Sequence, residues 1–139
     1  MATVSEALSE LGIAEWVLRG EPTKESEFKE MFRKITGADS TGTAIETDDT
    51  TKWGVTWKQV SDKMTDIDAA APMKELRKQR DAKLAETDWT ALGDVTMTDN
   101  MKTYRKALRD LPASNDGKNA SLASDGSLEN VKWPQKPAA

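Results

Sequence analysis

The sequence predicts a mainly α fold: a small helical domain of about five short helices, with long polar loops and an extended C-terminal tail. Three observations carry that expectation. Apolar side chains recur at three- and four-residue spacing in successive windows, each bounded by a capping residue, a glycine or a proline. Apolar residues make up only 37% of the 139-residue chain and mean hydropathy is −0.69, so the core is small and polar residues gather in the connections. The end of the chain is rich in Ser, Asn, Asp, Gly and Pro, a composition that favours unpacked chain.

The first helix is read over "TVSEALSELGIAEWVLRG" (3–20). There Thr3 and Glu6 have capping-box spacing, Val4, Leu8 and Leu11 form a stripe, Gly12 weakens the middle, and Gly20 is the stop. The second follows Pro22–Thr23, with Phe28, Met31, Phe32 and Ile35 at i, i+3, i+4 and i+7 and Gly37 closing it. Joined by "GEPT", these two predict a helical hairpin. Residues 38–52 read as a turn-rich polar loop, with at most a brief strand at Thr43–Thr47. Thr56 and Gln59 repeat the capping-box spacing and open a third helix that carries Trp57, Val60, Met64 and Ile67.

Pro72 either starts a fourth helix at its first turn or kinks a longer one. That fourth helix covers roughly Met73–Glu86, with Met73, Leu76 and Leu84 on one face. The fifth covers roughly Asp99–Leu111, capped by Thr98, with Met101, Tyr104, Leu108 and Leu111 inward and Pro112 ending it. Residues 113–130 read as a linker, and "VKWPQKPAA" (131–139) is held extended by its prolines. The domain organisation expected is an N-terminal helical region at 1–72, a helix-turn-helix module at 73–112, and a flexible linker with a Trp-Pro tail at 113–139.

Composition removes several functional classes. The chain has no Cys and no His, which excludes a disulfide framework, a structural zinc site and any Ser–His or Cys–His relay. Charged residues are 32% of the chain with a net of only −4, so a basic nucleic-acid surface is not expected. No window approaches the ~18 apolar residues of a membrane span. The start "MATVSEALSE" lacks a basic region followed by an apolar run, which predicts a soluble, intracellular protein.

The remaining acid–base groups are carboxylates, and their spacing does not build a catalytic pair. Asp62 and Asp66 stand at i and i+4 but off the apolar stripe, the place of a solvated face. A calcium loop starting at Asp88 fails because Leu92 falls where an oxygen donor is needed, and "GADSTGT" (37–43) lacks the lysine of a phosphate loop. No catalytic, cofactor-binding or metal-ligating residue is predicted, and no cofactor.

The informative region is "RKQRDAKLAETDWTALGD" (77–94) followed by "YRKALRDLP" (104–112). Its basic residues form either a solvated stripe or a set of ion pairs. In the second case Arg77, Arg80, Arg105 and Arg109 meet Asp81, Asp88, Asp94 and Asp110, and bidentate pairs fix how the two helices meet. Trp89 stands in the middle of the connection. Burying a tryptophan removes roughly 150–250 Å² from water, an upper bound on the order of 4–6 kcal/mol. That predicts a plug between the fourth and fifth helices, with Leu92 and Tyr104 as neighbours.

These two segments, with "VKWPQKP" (131–137), resemble the C-terminal module of phage tail assembly chaperones and tail-fibre-associated proteins. The matching positions are Arg77, Arg80, Asp81, Leu84, Asp88, Trp89, Thr90, Asp94, Tyr104, Arg105, Ala107, Leu108, Arg109, Asp110, Trp133 and Pro134. Gly93 stands where that module usually has proline, and Lys106 where it usually has glutamine. The resemblance spans Met73 to Pro137. The N-terminal half is more loosely similar to small proteins of T4-like phages of cyanobacteria.

The resemblance implies tail or tail-fibre morphogenesis in the host cytoplasm, through contact with a phage tail or tail-fibre protein and without enzymatic activity. The expected role is that of an assembly chaperone. The alternative is a tail or fibre adaptor retained in the virion. The expected contact surface is the helix pair 73–111 with its Trp89 plug, plus the Trp133–Pro134 segment. That segment either anchors in a partner's groove or packs on its own domain.

Overall fold

A computed structural model describes residues 1–138. The chain divides into two compact units, Met1–Ala69 and the part that starts at Ala70. Helices dominate, but the first unit also contains a small antiparallel sheet.

In that unit the expected helical hairpin is replaced by alternating helix and strand. Helix α1 spans Val4–Glu10, with the Thr3 hydroxyl accepting from the Glu6 N–H. It stops a turn beyond, in a Schellman arrangement: Gly12 N–H donates to Ser9 O and Ile13 N–H to Leu8 O, both at 3.0 Å. Gly12 makes this stop because its φ is +75°, a backbone state that costs glycine no steric strain. Gly12 is therefore a terminator and not a weak helix interior. The chain reverses and Trp16–Leu18 form strand β1.

Helix α2 covers Glu25–Met31 and runs directly into strand β2, Phe32–Ala38. Phe28 and Phe32 keep the contact that helical spacing implied, with ring centroids 4.9 Å apart, but Phe32 makes it from an extended backbone. Strand β3, Ala44–Thr47, lies where the weak strand was expected. The sheet order is β1-β2-β3, antiparallel throughout, with a bulge between Ile35 and Gly37.

The core beneath comprises Val4, Ala7, Leu8, Phe28, Phe32, Trp53, Val55 and Val60. Trp53 sits edge-on to Phe28 and Phe32 at 5.6 and 4.9 Å, and its indole N–H donates to Thr47 O at 2.8 Å. Offset and edge-to-face rings add to what their area alone contributes.

The capping box opens helix α3 as expected: Gln59 N–H donates to Thr56 Oγ1, and Thr56 N–H to Gln59 Oε1. The helix is continuous over Trp57–Thr87 with Pro72 inside it. The third and fourth expected helices are one element, and Pro72 does not begin a new one.

The second unit continues from α3 through a 3-10 turn, Asp88–Ala91, into helix α4, Asp99–Asp110, which Thr98 caps by accepting from the Met101 N–H. Its core is Met101, Tyr104 and Leu108, with Leu84, Met97 and Trp133 packed against them. The expected linker is folded. A 3-10 turn at Leu111–Ala113 leads to the short helix α5, Asn115–Lys118, and Ser121–Leu122 (β4) pairs with Leu128–Glu129 (β5) in a hairpin. Residues 131–138 carry no helix or strand. No helix among the described residues is long and apolar enough to cross a membrane.

Candidate partner-binding surface

The surface is built on the end of α3. A helix leaves its last four carbonyls without intrahelical partners, and here side chains satisfy two of them, Leu84 O and Thr87 O. The guanidinium of Arg105 on α4 donates to Leu84 O at 2.9 Å, to Thr87 Oγ1 at 2.7 Å and to Asp88 Oδ1 at 2.8 Å. The Thr87 hydroxyl donates to Leu84 O at 3.2 Å and the Thr90 hydroxyl to Thr87 O at 2.6 Å. The Arg105 side chain is only 14% exposed while Asp88 is 63% exposed, so its part-buried bonds to Leu84 O and Thr87 Oγ1 weigh more than the Asp88 pair, which is screened like a surface one. A cation at a helix C-terminus also matches the macrodipole.

This arrangement overturns the Trp89 plug. Trp89 is 49% exposed and Leu92 56%, whereas Thr87 and Thr90 are 1% and 5% exposed. The reason is phase. In a 3-10 turn residues i and i+3 eclipse, so Thr87 and Thr90 share one side and Trp89 and Leu92 the other. The side facing inward must satisfy the α3 carbonyls, and threonine can do so where an indole cannot. The position expected of Trp89 next to Tyr104 is not taken up.

Trp89 instead forms a wall of a hollow of about 220 Å³, lined also by Thr90, Val95, Thr96, Met97, Thr98 and Met101. The indole stands on a turn whose backbone is tied down by the cluster just described, which pre-organises it as a contact residue.

The other expected residues divide. Arg105 meets Asp88 across the turn, a pair of the kind the second reading of the basic residues expects without naming its members. Arg80 pairs with its neighbour Asp81 at 2.8 Å, an arrangement within α3 that does nothing to join helices. Asp110 pairs with Lys106 instead of an arginine. Among the described residues Arg77, Arg109 and Asp94 make no ion pair, and all three are exposed. Tyr104 is buried at 6% exposure; burial, and then the charge of Glu86, raise its phenol above the ordinary tyrosine value.

Trp133 packs on the Met101–Tyr104–Leu108 cluster with the Lys83 ammonium 5.0 Å from its ring centroid. Lys136 reaches Glu86 at 3.7 Å. Pro134 lines a second hollow with Ala107, Leu111 and Lys132. The tail therefore packs on its own unit, the second of its two expected placements. Thr87 escaped the sequence reading, and Thr90, a matching position of the resemblance, was given no role there. The signal for the threonines was their spacing, three apart across the end of a helix.

Residues 73–138 match the family model described as phage tail assembly chaperone protein. The matched stretch begins just past the Ala69–Ala70 division and takes in the Arg105 cluster, the Trp89 turn and the docked tail. No curated protein and no solved structure is significantly similar to the chain.

Proposed function

We propose that this chain acts by protein–protein contact in the assembly of a phage tail or tail fibre, as an assembly chaperone working in the host cytoplasm. The observation that carries the reading is the family match over residues 73–138. A rigid turn that offers Trp89 and Leu92 to solvent supports it, because exposed aromatic anchors on fixed backbone are what contact surfaces use. By this reading the chain shields or positions its client without chemistry. The looser likeness of the first half to small proteins of T4-like phages of cyanobacteria supports a phage of that kind as the source.

Co-expression with each tail and tail-fibre protein of the same phage tests the reading. One of them should co-purify with the chain and gain soluble yield. If none co-purifies and no solubility changes, the reading fails.

A further inference from the structure

The hollow beside Trp89 has a chemical character that narrows what fills it. Its floor is Met101, 2% exposed, with half-buried Val95 and Met97, and its wall is the indole of Trp89. The chain that forms it, residues 86–99, carries the carboxylates Glu86, Asp88, Asp94 and Asp99 and no lysine or arginine.

Two of these are engaged, Glu86 by Lys136 at 3.7 Å and Asp88 by Arg105 at 2.8 Å. The other two bracket the lining segment, Asp94 immediately before Val95 and Asp99 immediately after Thr98. Asp94 has no ion pair among the described residues, and Asp99 is fully solvent-exposed in a long ion pair with Lys102 at 3.9 Å. An acidic occupant would meet unpaired like charge at Asp94 and only a loosely paired carboxylate at Asp99, whereas a basic one would gain from Asp94 and compete with Lys102 for Asp99.

From these features we propose that the hollow is a docking site for a basic segment of the client: one apolar side chain against Trp89, flanked by lysine or arginine that face Asp94 and Asp99. This rests on the assembly reading above and adds the chemistry of the partner. The turn is fixed by Arg105 before anything binds, so the segment meets a formed site and the ordering cost falls on the client alone.

The test uses the full chain against overlapping 15-residue peptides that tile the tail and tail-fibre proteins of the same phage, with affinities read by fluorescence anisotropy. Bound peptides should carry net positive charge around an apolar residue. Trp89→Ala should weaken them at least tenfold. The double variant Asp94→Asn, Asp99→Asn should weaken them several-fold and flatten the salt dependence. Both variants change exposed side chains, and unchanged thermal unfolding verifies that the fold is kept.

Binding that ignores peptide charge, or that survives Trp89→Ala, overturns the site. So does a Trp89-dependent dimer in sedimentation of the chain alone, which would make the occupant a second copy. If an intact tail protein co-purifies but no peptide binds, the basic segment is wrong and the assembly reading stands. If neither binds, both fall.

Discussion

At Trp89 hydrophobicity and position give opposite answers, and position prevails. An indole has the most to gain from burial, yet the 3-10 phase turns two threonine hydroxyls toward the carbonyls that end α3 and leaves the ring 49% exposed. Area arithmetic on the sequence weighed the side chain and not the register in which a turn presents it. Trp89→Ala should accordingly shift stability by no more than about 0.5 kcal/mol in chemical denaturation, as surface substitutions do. A loss of several kcal/mol would restore the plug. Arg105→Met should cost about 2–3 kcal/mol, because it removes three hydrogen bonds and leaves shielded oxygens at Leu84 and Thr87 with fewer donors. That arginines of α4 could meet aspartates near the end of α3 was legible in the sequence, but which ones pair was not, because spacing alone left four of each to choose from. The carbonyl bonds were not legible either, since nothing in a sequence marks which main-chain groups a helix end leaves open.

Among elements, capping residues mark where helices begin, whereas apolar spacing says less about where they end or whether a short run stays helical: Thr3 opens α1 as expected, but the helix ends at Glu10 and not near Gly20. Thr56 with Gln59 and Thr98 with Met101 start α3 and α4 where expected. Phe28, Met31, Phe32 and Ile35 also obeyed helical spacing, but a short apolar run fits either element, and sheet pairing with β1 and β3 claimed its second half. The polar loops were legible as loops but not as structures. Three of them use one device, an aspartate accepting from the N–H and the hydroxyl two residues on: Asp39 with Thr41, Asp49 with Thr51, Asp125 with Ser127. Such Asx turns order a Ser- and Asp-rich stretch that composition alone reads as unpacked. Gly117 in α5 is another local constraint: a Cβ there would overlap Leu111 O and the Pro112 Cα. Alanine in a helix is ordinarily worth up to ~1 kcal/mol over glycine. Gly117→Ala should nevertheless lower the unfolding midpoint of the second unit, and a rise would show that the 111–118 packing gives way.

For the whole molecule, ionisation sets the pH range of stability. Hydrogen bonds from Thr23, Thr41, Arg19, Thr51 and Ser127 hold Glu27, Asp39, Glu46, Asp49 and Asp125 below the ordinary carboxylate range. Unfolded carboxylates titrate near ~4, so below that the unfolded chain binds more protons. Stability should be full above about pH 5 and fall as acid approaches and passes pH 4. Tyr104 works in the opposite direction. Its phenol is raised by burial, so its contribution holds below about pH 10, the unfolded value, and is lost as pH rises through the folded one. It is the single tyrosine of the chain, and phenolate absorbance should therefore give one titration with a midpoint above about 10. A midpoint at or below that value would mean the Tyr104 hydroxyl is open to solvent. As an assembly chaperone, the role proposed above, the molecule would bind a tail component during assembly and then leave. Quantitative mass spectrometry of infected-cell lysate beside purified virions tests that directly. The account predicts abundant chain in the lysate and none in the particle; a fixed copy number in the virion would contradict it and make the chain a structural adaptor.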